Sequence, residues 1–454
     1  MPLSITQNKA LSIKRRIFAL LTVLLSLPLF QLTFPFIKEA QLLGVAPAPD
    51  LPKFSVESWY NEQYQKSFAS VLEQRIGFHP AFVRIHNQIN YSLFSYSDAG
   101  DVVIGKDGYI YLKPYVQALT GDQFIGTNTI RLQTEKLKVI QAQLKKRGID
   151  FFVVLAPGKG SFYSEYIPDD LKARPHSDTT NYDQWKKYFE QSRINYLDLR
   201  SYFAELKKQE KYPLFSKTGV HWSEYGCYKA GEKLVAYIGS LRKIELPKIE
   251  LKGVKKVLMS GNKSTDYDAA SLMNIYGTVG HAPAALPELS YTSTKNSIRP
   301  RFLCISDSYF AGISNTGIPS NVFSDYHNWL YFDRVFPESY LDEKHVADLN
   351  IKKELEKQDI VCILCTDASL GVFPFGFADA AYELYAPKDS AYSSLKNQEY
   401  SIDIYEGLRH IDQNPDWKAA LEWNAKEKGI SPMESFIDKL NEIYREKQKK
   451  ISGK

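Results

Sequence analysis

From Ile17 to Ile37 the chain runs 21 residues without a charged side chain. As a helix rising ~1.5 Å per residue, this run spans ~30 Å, the thickness of a bilayer core. Lys14-Arg15-Arg16 precedes it and the neutral pair Lys38-Glu39 follows. The excess of positive charge on the N-terminal side predicts that residues 1–16 stay in the cytoplasm and the rest lies outside. A cleaved leader has an apolar region of about 7–15 residues with a small-residue site just behind it. This run is longer, and the nearest small residues, around Val45–Ala48, lie beyond a charged pair, so it reads as an uncleaved anchor. Pro28 and Pro35 are expected to kink it. Residues 38–60 are Pro-rich and read as a stalk. Residues 57–95 carry helical spacing at Phe68, Val71, Leu72, Ile76, Phe82 and Ile85.

Beyond residue 100 the pattern changes. Val102–Leu112 is two β-rich runs around Lys106-Asp-Gly108, which predicts a hairpin with Asp-Gly at its turn. Apolar residues at Leu132, Leu137, Ile140 and Leu144 predict a helix over 130–146, ended by Gly148. Ile149–Leu155 is apolar but for Asp150, as expected of a parallel strand covered on both faces. Ile194–Leu199, Arg301–Ile305 and Ile360–Leu364 read as further strands, with helices over 224–238 and 351–357. Strands alternating with helices at these spacings predict an α/β fold with an open parallel sheet and flanking helices. Residues 250–298 are polar with weak periodicity and predict no element. Residues 401–450 read as two or three short helices, with a capping box at Ser431-Pro-Met-Glu434. The organisation expected is a basic segment (1–16), an anchor (17–37), a stalk and helical lead-in (38–100), an α/β domain (101–385) and a C-terminal helical extension (386–454).

The 454 residues are 44% hydrophobic and 24% charged, an ordinary globular balance that excludes a disordered, collagen-like or multi-span membrane chain. The net charge of +5 resides in the two ends. Residues 1–16 and 445–454 each contribute +4, leaving a slightly acidic body. A nucleic-acid-binding protein would carry its positive charge on the fold itself, so no nucleic-acid partner is expected. Four cysteines do not make a disulfide scaffold. Cys362 and Cys365 lie in an apolar run without the turn of a redox pair or further zinc ligands, and read as core thiols.

In an open α/β sheet, ligands bind beyond the carboxyl ends of the strands. Three such places carry chemistry. Arg301–Ile305 runs directly into Ser306-Asp307-Ser308, where a serine on a strand-to-helix turn exposes its hydroxyl above the sheet, as a nucleophile needs. His221, in Thr218-Gly-Val-His-Trp222, sits at a helix start and suits a general base for Ser308. Ile149–Leu155 ends in Ala156-Pro-Gly158-Lys159-Gly160, a turn able to aim N–H groups at an oxyanion. It lacks the spacing of a nucleotide-binding loop, and no cofactor is expected.

Val103-Ile-Gly-Lys-Asp-Gly-Tyr-Ile-Tyr111, Ala156-Pro-Gly-Lys159, His221-Trp222 and Ser306-Asp-Ser308 stand in an order that resembles the SGNH-hydrolase-like proteins related to the alginate O-acetyltransferases. The resemblance covers roughly residues 60–385. It implies a flavodoxin-like α/β domain with Ser308 as nucleophile and His221 as base. Gly158, Lys159, Trp222 and Arg334 are implied around the oxyanion and substrate. It also implies a polysaccharide substrate, a multi-span membrane O-acyltransferase partner, and a single-pass protein of the inner membrane with its body in the periplasm. The family carries its triad acid two or three residues before the histidine, where this chain has Gly219 and Thr218. Asp198 or Glu224 is left as a substitute acid. The activity expected is O-acetyl transfer to a cell-surface polysaccharide through an acetyl-serine. The alternatives are an acetyl-esterase of the same fold or a non-catalytic polysaccharide-binding subunit.

Overall fold

A computed structural model describes residues 5–45, 50, 53–172, 179–257, 266–280, 283–388 and 415–452. It divides into two compact units, residues 1–100 with Ser271–Thr278, and residues 101–270 with 279–454.

In the first unit a helix runs Ile5–Thr33 and includes a stretch, Leu11–Thr33, long and apolar enough to cross a membrane. The helix stops four residues short of Ile37. Pro35 cannot continue it and pushes Phe34 out of helical geometry. Gln31 then holds the reversal: its Oε1 accepts from the Phe36 and Ile37 amides, both at 3.1 Å. Pro35 therefore ends the helix, while Pro28 lies inside it. Residues 46–49 and 51–52 of the expected stalk lie outside the described residues. Helices follow at Val56–Tyr60, Gln63–Arg75 and His79–Phe94.

The second unit opens with β1 (Val102–Ile104) and β2 (Ile110–Leu112), an antiparallel pair. Asp107 and Gly108 both take positive φ, 54° and 76°, at the turn. The main sheet contains β3 (Asp150–Ala156) and β4 (Tyr196–Asp198). A separate antiparallel pair follows, β5 (Lys248–Val257) with β6 (Ala284–Thr292). The main sheet is completed by β7 (Arg301–Ser306), β8 (Asp325–Leu330), β9 (Arg334–Phe336) and β10 (Ile360–Thr366), in the order β4-β3-β10-β7-β8-β9. Every pairing is parallel except β8 with β9.

Alternate side chains of β3 enter opposite cores. Phe151, Val153 and Leu155 pack with helices 127–145, 181–192 and 377–385, whereas Phe152, Val154 and Ala156 pack with helices 199–206, 224–242 and 309–315. Both faces are covered, which is why β3 is apolar from Phe151 to Ala156 and β10 from Ile360 to Cys365. The expected flavodoxin-like α/β arrangement is the one observed. All four cysteines are free and buried. The C-terminal extension forms helices Pro415–Lys428 and Pro432–Ser452, with Ser431 Oγ accepting the Glu434 amide at 3.0 Å. Residues 401–414 lie outside the described residues.

Candidate active site

β7 ends at Ser306, and its neighbour β10 ends beside it, Leu364 pairing with Ser306. The loop 306–308 is locked by its own polar side chains. Ser306 Oγ donates to Asn328 Oδ1 on β8 at 2.7 Å. Asp307 is buried; its Oδ2 accepts the Thr366 amide and hydroxyl, both at 2.7 Å, and its Oδ1 accepts the Tyr309 amide. Burial pushes the Asp307 carboxyl up, and these donors oppose that rise. Asp307 thereby caps the helix Tyr309–Asn315, leaving the Ser308 hydroxyl unused as a cap.

That hydroxyl meets His221 instead, Oγ to Nε2 at 2.7 Å. The other ring nitrogen, Nδ1, bonds Asp268 Oδ2. His221 is steadied from below by Tyr309, whose ring lies 4.9 Å away and whose hydroxyl donates to the Val220 carbonyl at 2.7 Å.

Asp268 is the carboxylate that sequence reasoning missed, and Asp198 is not at the site. Asp198 caps the helix Leu199–Leu206 and holds Tyr182 and Lys186, each at 2.8 Å. Asp268 arrives 47 residues after His221, within the stretch 250–298 that predicts no element. Four hydrogen bonds join its segment to the histidine loop. Ser216 and Thr218 hydroxyls donate to the Asp266 carbonyl, the Ala270 amide donates to the Thr218 carbonyl, and the Val220 amide donates to Asp268 Oδ1 at 2.7 Å. A signal was present: Asp266 and Asp268 are the only aspartates of residues 250–298.

The remaining expected site residues fall into supporting positions. Lys159 is fully buried and does not reach a substrate. Its Nζ donates to the carbonyls of Ile110, Lys217 and Gly219 at 2.6, 2.7 and 2.8 Å. Burial pushes its pKa down, yet three acceptors call for three N–H donors, which only the ammonium has. Lys159 thus pins the loop two residues before His221. Trp222 is also fully buried, and donates to the Tyr309 carbonyl at 3.2 Å. Gly158 is needed for close approach: a Cβ there would stand 2.1 Å from Asp367 Oδ1 and 2.7 Å from Tyr115. The turn is therefore packed against protein rather than open as an oxyanion cradle. Arg334 lies on β9 at the sheet edge, half exposed and paired with Glu343 at 2.6 Å, in a surface cluster with Asp333 and His345.

One further side chain faces the serine. Tyr331 follows β8, and its phenol lies near Ser308, whose polar groups act to lower its pKa. Burial raises the Tyr331 pKa, with the Asp307 charge adding to the rise. Tyr331 and Phe332 have φ of 52° and 56°, a left-handed conformation that costs about 1–2 kcal/mol per ordinary residue. The Tyr331 amide, donating to the Ser306 carbonyl at 2.7 Å, holds the strained turn beside the nucleophile loop. Such strain is concentrated at functional sites.

The arrangement is a linear Ser–His–carboxylate chain at the carboxyl edge of a parallel sheet. It is able to draw a proton from the serine and hold the resulting imidazolium.

The pattern described as the SGNH hydrolase-like domain of the acetyltransferase AlgX matches residues 102–297. The chain is 23% identical over 207 residues to the probable alginate O-acetylase AlgJ of Pseudomonas aeruginosa, covering 45% of this chain and 48% of that protein. It is 27% identical over 158 residues to the probable alginate O-acetylase AlgJ of Pseudomonas syringae pv. tomato, covering 35% and 38%. The chain thus spans less than half the length of these curated relatives. Among solved structures, the O-acetyltransferase domain of Pseudomonas putida AlgJ aligns over 66% of this chain and 99% of its own, at 18% identity and a TM-score of 0.40. Bacillus cereus PatB1 aligns over 59% and 96%, at 12% identity and a TM-score of 0.37.

Proposed function

We propose, for a chain whose residues 102–297 belong to the SGNH hydrolase-like family of the acetyltransferase AlgX, that it transfers acetyl groups to hydroxyls of a cell-surface polysaccharide through an acetyl-Ser308 intermediate. The observation that carries this reading is the hydrogen-bonded chain Ser308–His221–Asp268.

Ser308 Oγ attacks the carbonyl carbon of an acetyl donor while His221 Nε2 takes the hydroxyl proton. The tetrahedral intermediate collapses, the donor's leaving group departs with that proton, and acetyl remains on Ser308. A sugar hydroxyl then attacks the acetyl-serine. His221 takes the sugar's proton and returns it to Ser308 Oγ, so the enzyme is restored and the sugar carries the ester. Asp268 keeps the proton of neutral His221 on Nδ1 and stabilises the imidazolium at each step.

The Leu11–Thr33 helix supports a single-pass anchor. The basic residues before it support a body on the periplasmic side. A multi-span acyltransferase in the same membrane is the partner this reading expects to supply acetyl.

The test is to incubate the full-length protein in detergent with an activated acetyl ester and read the mass of the Ser308 peptide. An acetyl adduct is expected in wild type and absent in Ser308→Ala and His221→Ala. Wild type without an adduct refutes the reading. Given an adduct, adding polysaccharide separates transfer from simple hydrolysis. The absence of an acid two or three residues before His221 favours a binding-only role; the Asp268 carboxylate on His221 Nδ1 supports the enzymatic reading instead.

A further inference from the structure

The helix His79–Phe94 in the first unit is inside out. Its polar residues Asn87 and Gln88 face protein. Asn87 is buried with its amide on the Met273 carbonyl at 2.8 Å, and Gln88 accepts the Gly277 amide at 2.7 Å. Its apolar residues face outward. Phe82, Ile85, Ile89 and Leu93 are 52%, 47%, 49% and 70% exposed. At about 100° per residue these four fall within an arc of roughly 80°, a continuous stripe along the helix. Phe68 and Leu72, one turn apart on the preceding helix, are exposed as well. A contiguous apolar face of this kind is a contact surface, not an ordinary water-facing side.

The same unit fixes what the face meets. The turn between the two helices is pressed onto the end of the Leu11–Thr33 helix. A Cβ on Gly77 would stand 2.4 Å from the Pro28 carbonyl and 2.5 Å from Gln31 Cβ. Phe78 packs edge-on against Phe36 at 5.9 Å, and its amide donates to Glu39 at 2.9 Å. Pro28 precedes Thr33 by five residues, about 7.5 Å of helix. If Leu11–Thr33 spans the hydrocarbon, Gly77 sits at the boundary of hydrocarbon and headgroups. The chain from 63 to 94 carries Lys66, Arg75 and Arg84 against Glu73 alone, a balance that suits anionic headgroups.

We infer that helices 63–75 and 79–94 form an interfacial foot, lying on the leaflet from which the body emerges, with the Phe82–Ile85–Ile89–Leu93 stripe set into the headgroup–acyl boundary. This rests on the membrane-anchor reading and not on the chemistry of Ser308.

The test uses the full-length protein in vesicles of phosphatidylethanolamine and phosphatidylglycerol. Single spin labels are introduced through Ile85→Cys, Ile89→Cys and Leu93→Cys. Leu21→Cys serves as a control in the anchor and Lys138→Cys, exposed on the helix 127–145 outside the foot, as a control in water. The native cysteines are buried, and unmutated protein measures any background labelling. Labels on the stripe are expected to collide with dissolved oxygen in preference to a water-soluble nickel chelate, with a ratio several-fold above that at Lys138 and near that at Leu21. Three separate positions, each checked for an unchanged melting temperature, guard against one unfolded variant. Free collision with the chelate means a water-facing stripe and overturns the inference. Protection from both collision partners means that protein covers it, a second copy or another chain, and also overturns it. A water-exposed Leu21 label would instead refute the anchor, which keeps the two failures apart.

Discussion

Replacing Asp268 by Asn tests the assignment of the acid most directly, because the change is nearly isosteric and its effect can be worked out atom by atom. Asp268 Oδ1 accepts from the Val220 and Ala269 amides, both at 2.7 Å, and the Asn carbonyl oxygen can keep both bonds. The Asn NH2 then faces His221 Nδ1. A donor there makes Nδ1 an acceptor and moves the ring proton to Nε2, the nitrogen that faces Ser308. Histidine so protonated cannot take the serine proton, and its imidazolium has lost the opposing charge. In serine proteases this wrong-tautomer effect is worth about 10⁴ in rate, or about 5.5 kcal/mol of transition-state stabilisation. A loss of about that size is expected in the initial rate of acetyl release from a fluorogenic acetate ester by the full-length protein. The melting temperature should barely move, since the backbone bonds persist. Asp198→Asn is the matched control. It touches Tyr182, Lys186 and Ser201 and should leave the rate unchanged. If Asp268→Asn keeps the wild-type rate within a factor of about ten while remaining folded, the orienting role of Asp268 is wrong.

Lys159→Met leaves three buried carbonyls without their ammonium donor, and should destabilise the fold by about 3–5 kcal/mol in denaturant titration; a loss below ~1 kcal/mol would remove Lys159 as the pin of the histidine loop. Tyr331→Phe keeps the ring and deletes the phenol facing Ser308. Its acetylation rate should fall about 10²-fold, with KM little changed, as for loss of one oxyanion donor; a rate equal to wild type would make Tyr331 a packing residue only. Asp266 titrates in a window that gives a pH test. Burial first, then the Glu224 and Asp268 charges, push its carboxyl up to about 7. The folded state therefore binds this proton more tightly than the unfolded chain, whose carboxyl titrates near 4. Stability from this group is present below about pH 4 and is lost as pH rises to about 7, by at most ~4 kcal/mol. Asp266→Asn should flatten that fall in melting experiments across pH 4–8, and a variant curve parallel to wild type would refute it.

The sheet was legible because covering both faces of a parallel strand demands a signal that sequence displays well. Phe151–Leu155 and Ile360–Leu364 are unbroken apolar runs, and each was read within a residue or two of β3 and β10. β5 was illegible for a physical reason. Ile249 and Leu251 keep period two, but the register shifts between Leu251 and Gly253, so Val254 falls on the opposite parity. One inserted residue inverts the alternation, and a half-exposed strand already rich in lysine has little alternation to spare. The catalytic constellation divides along the same line. Ser308 and His221 lie at ends of elements the pattern predicts, so their meeting could be anticipated from topology. Asp268 hangs beyond the bulged strand, in the stretch that predicts no element. Its approach to His221 depends on backbone amides and hydroxyls of residues 216–220, which no hydrophobic pattern records. Lys159 shows the converse error. A lysine in a glycine-rich turn at a strand end suggests an anion, and the chain uses it instead to gather three carbonyls. Residue type at a strand end thus identifies where chemistry is possible. Which side chains carry it is decided by burial: Lys159 and Trp222 are sealed inside and hold the loop, and Ser308, His221 and Asp268 remain only partly buried, where a substrate can reach the serine.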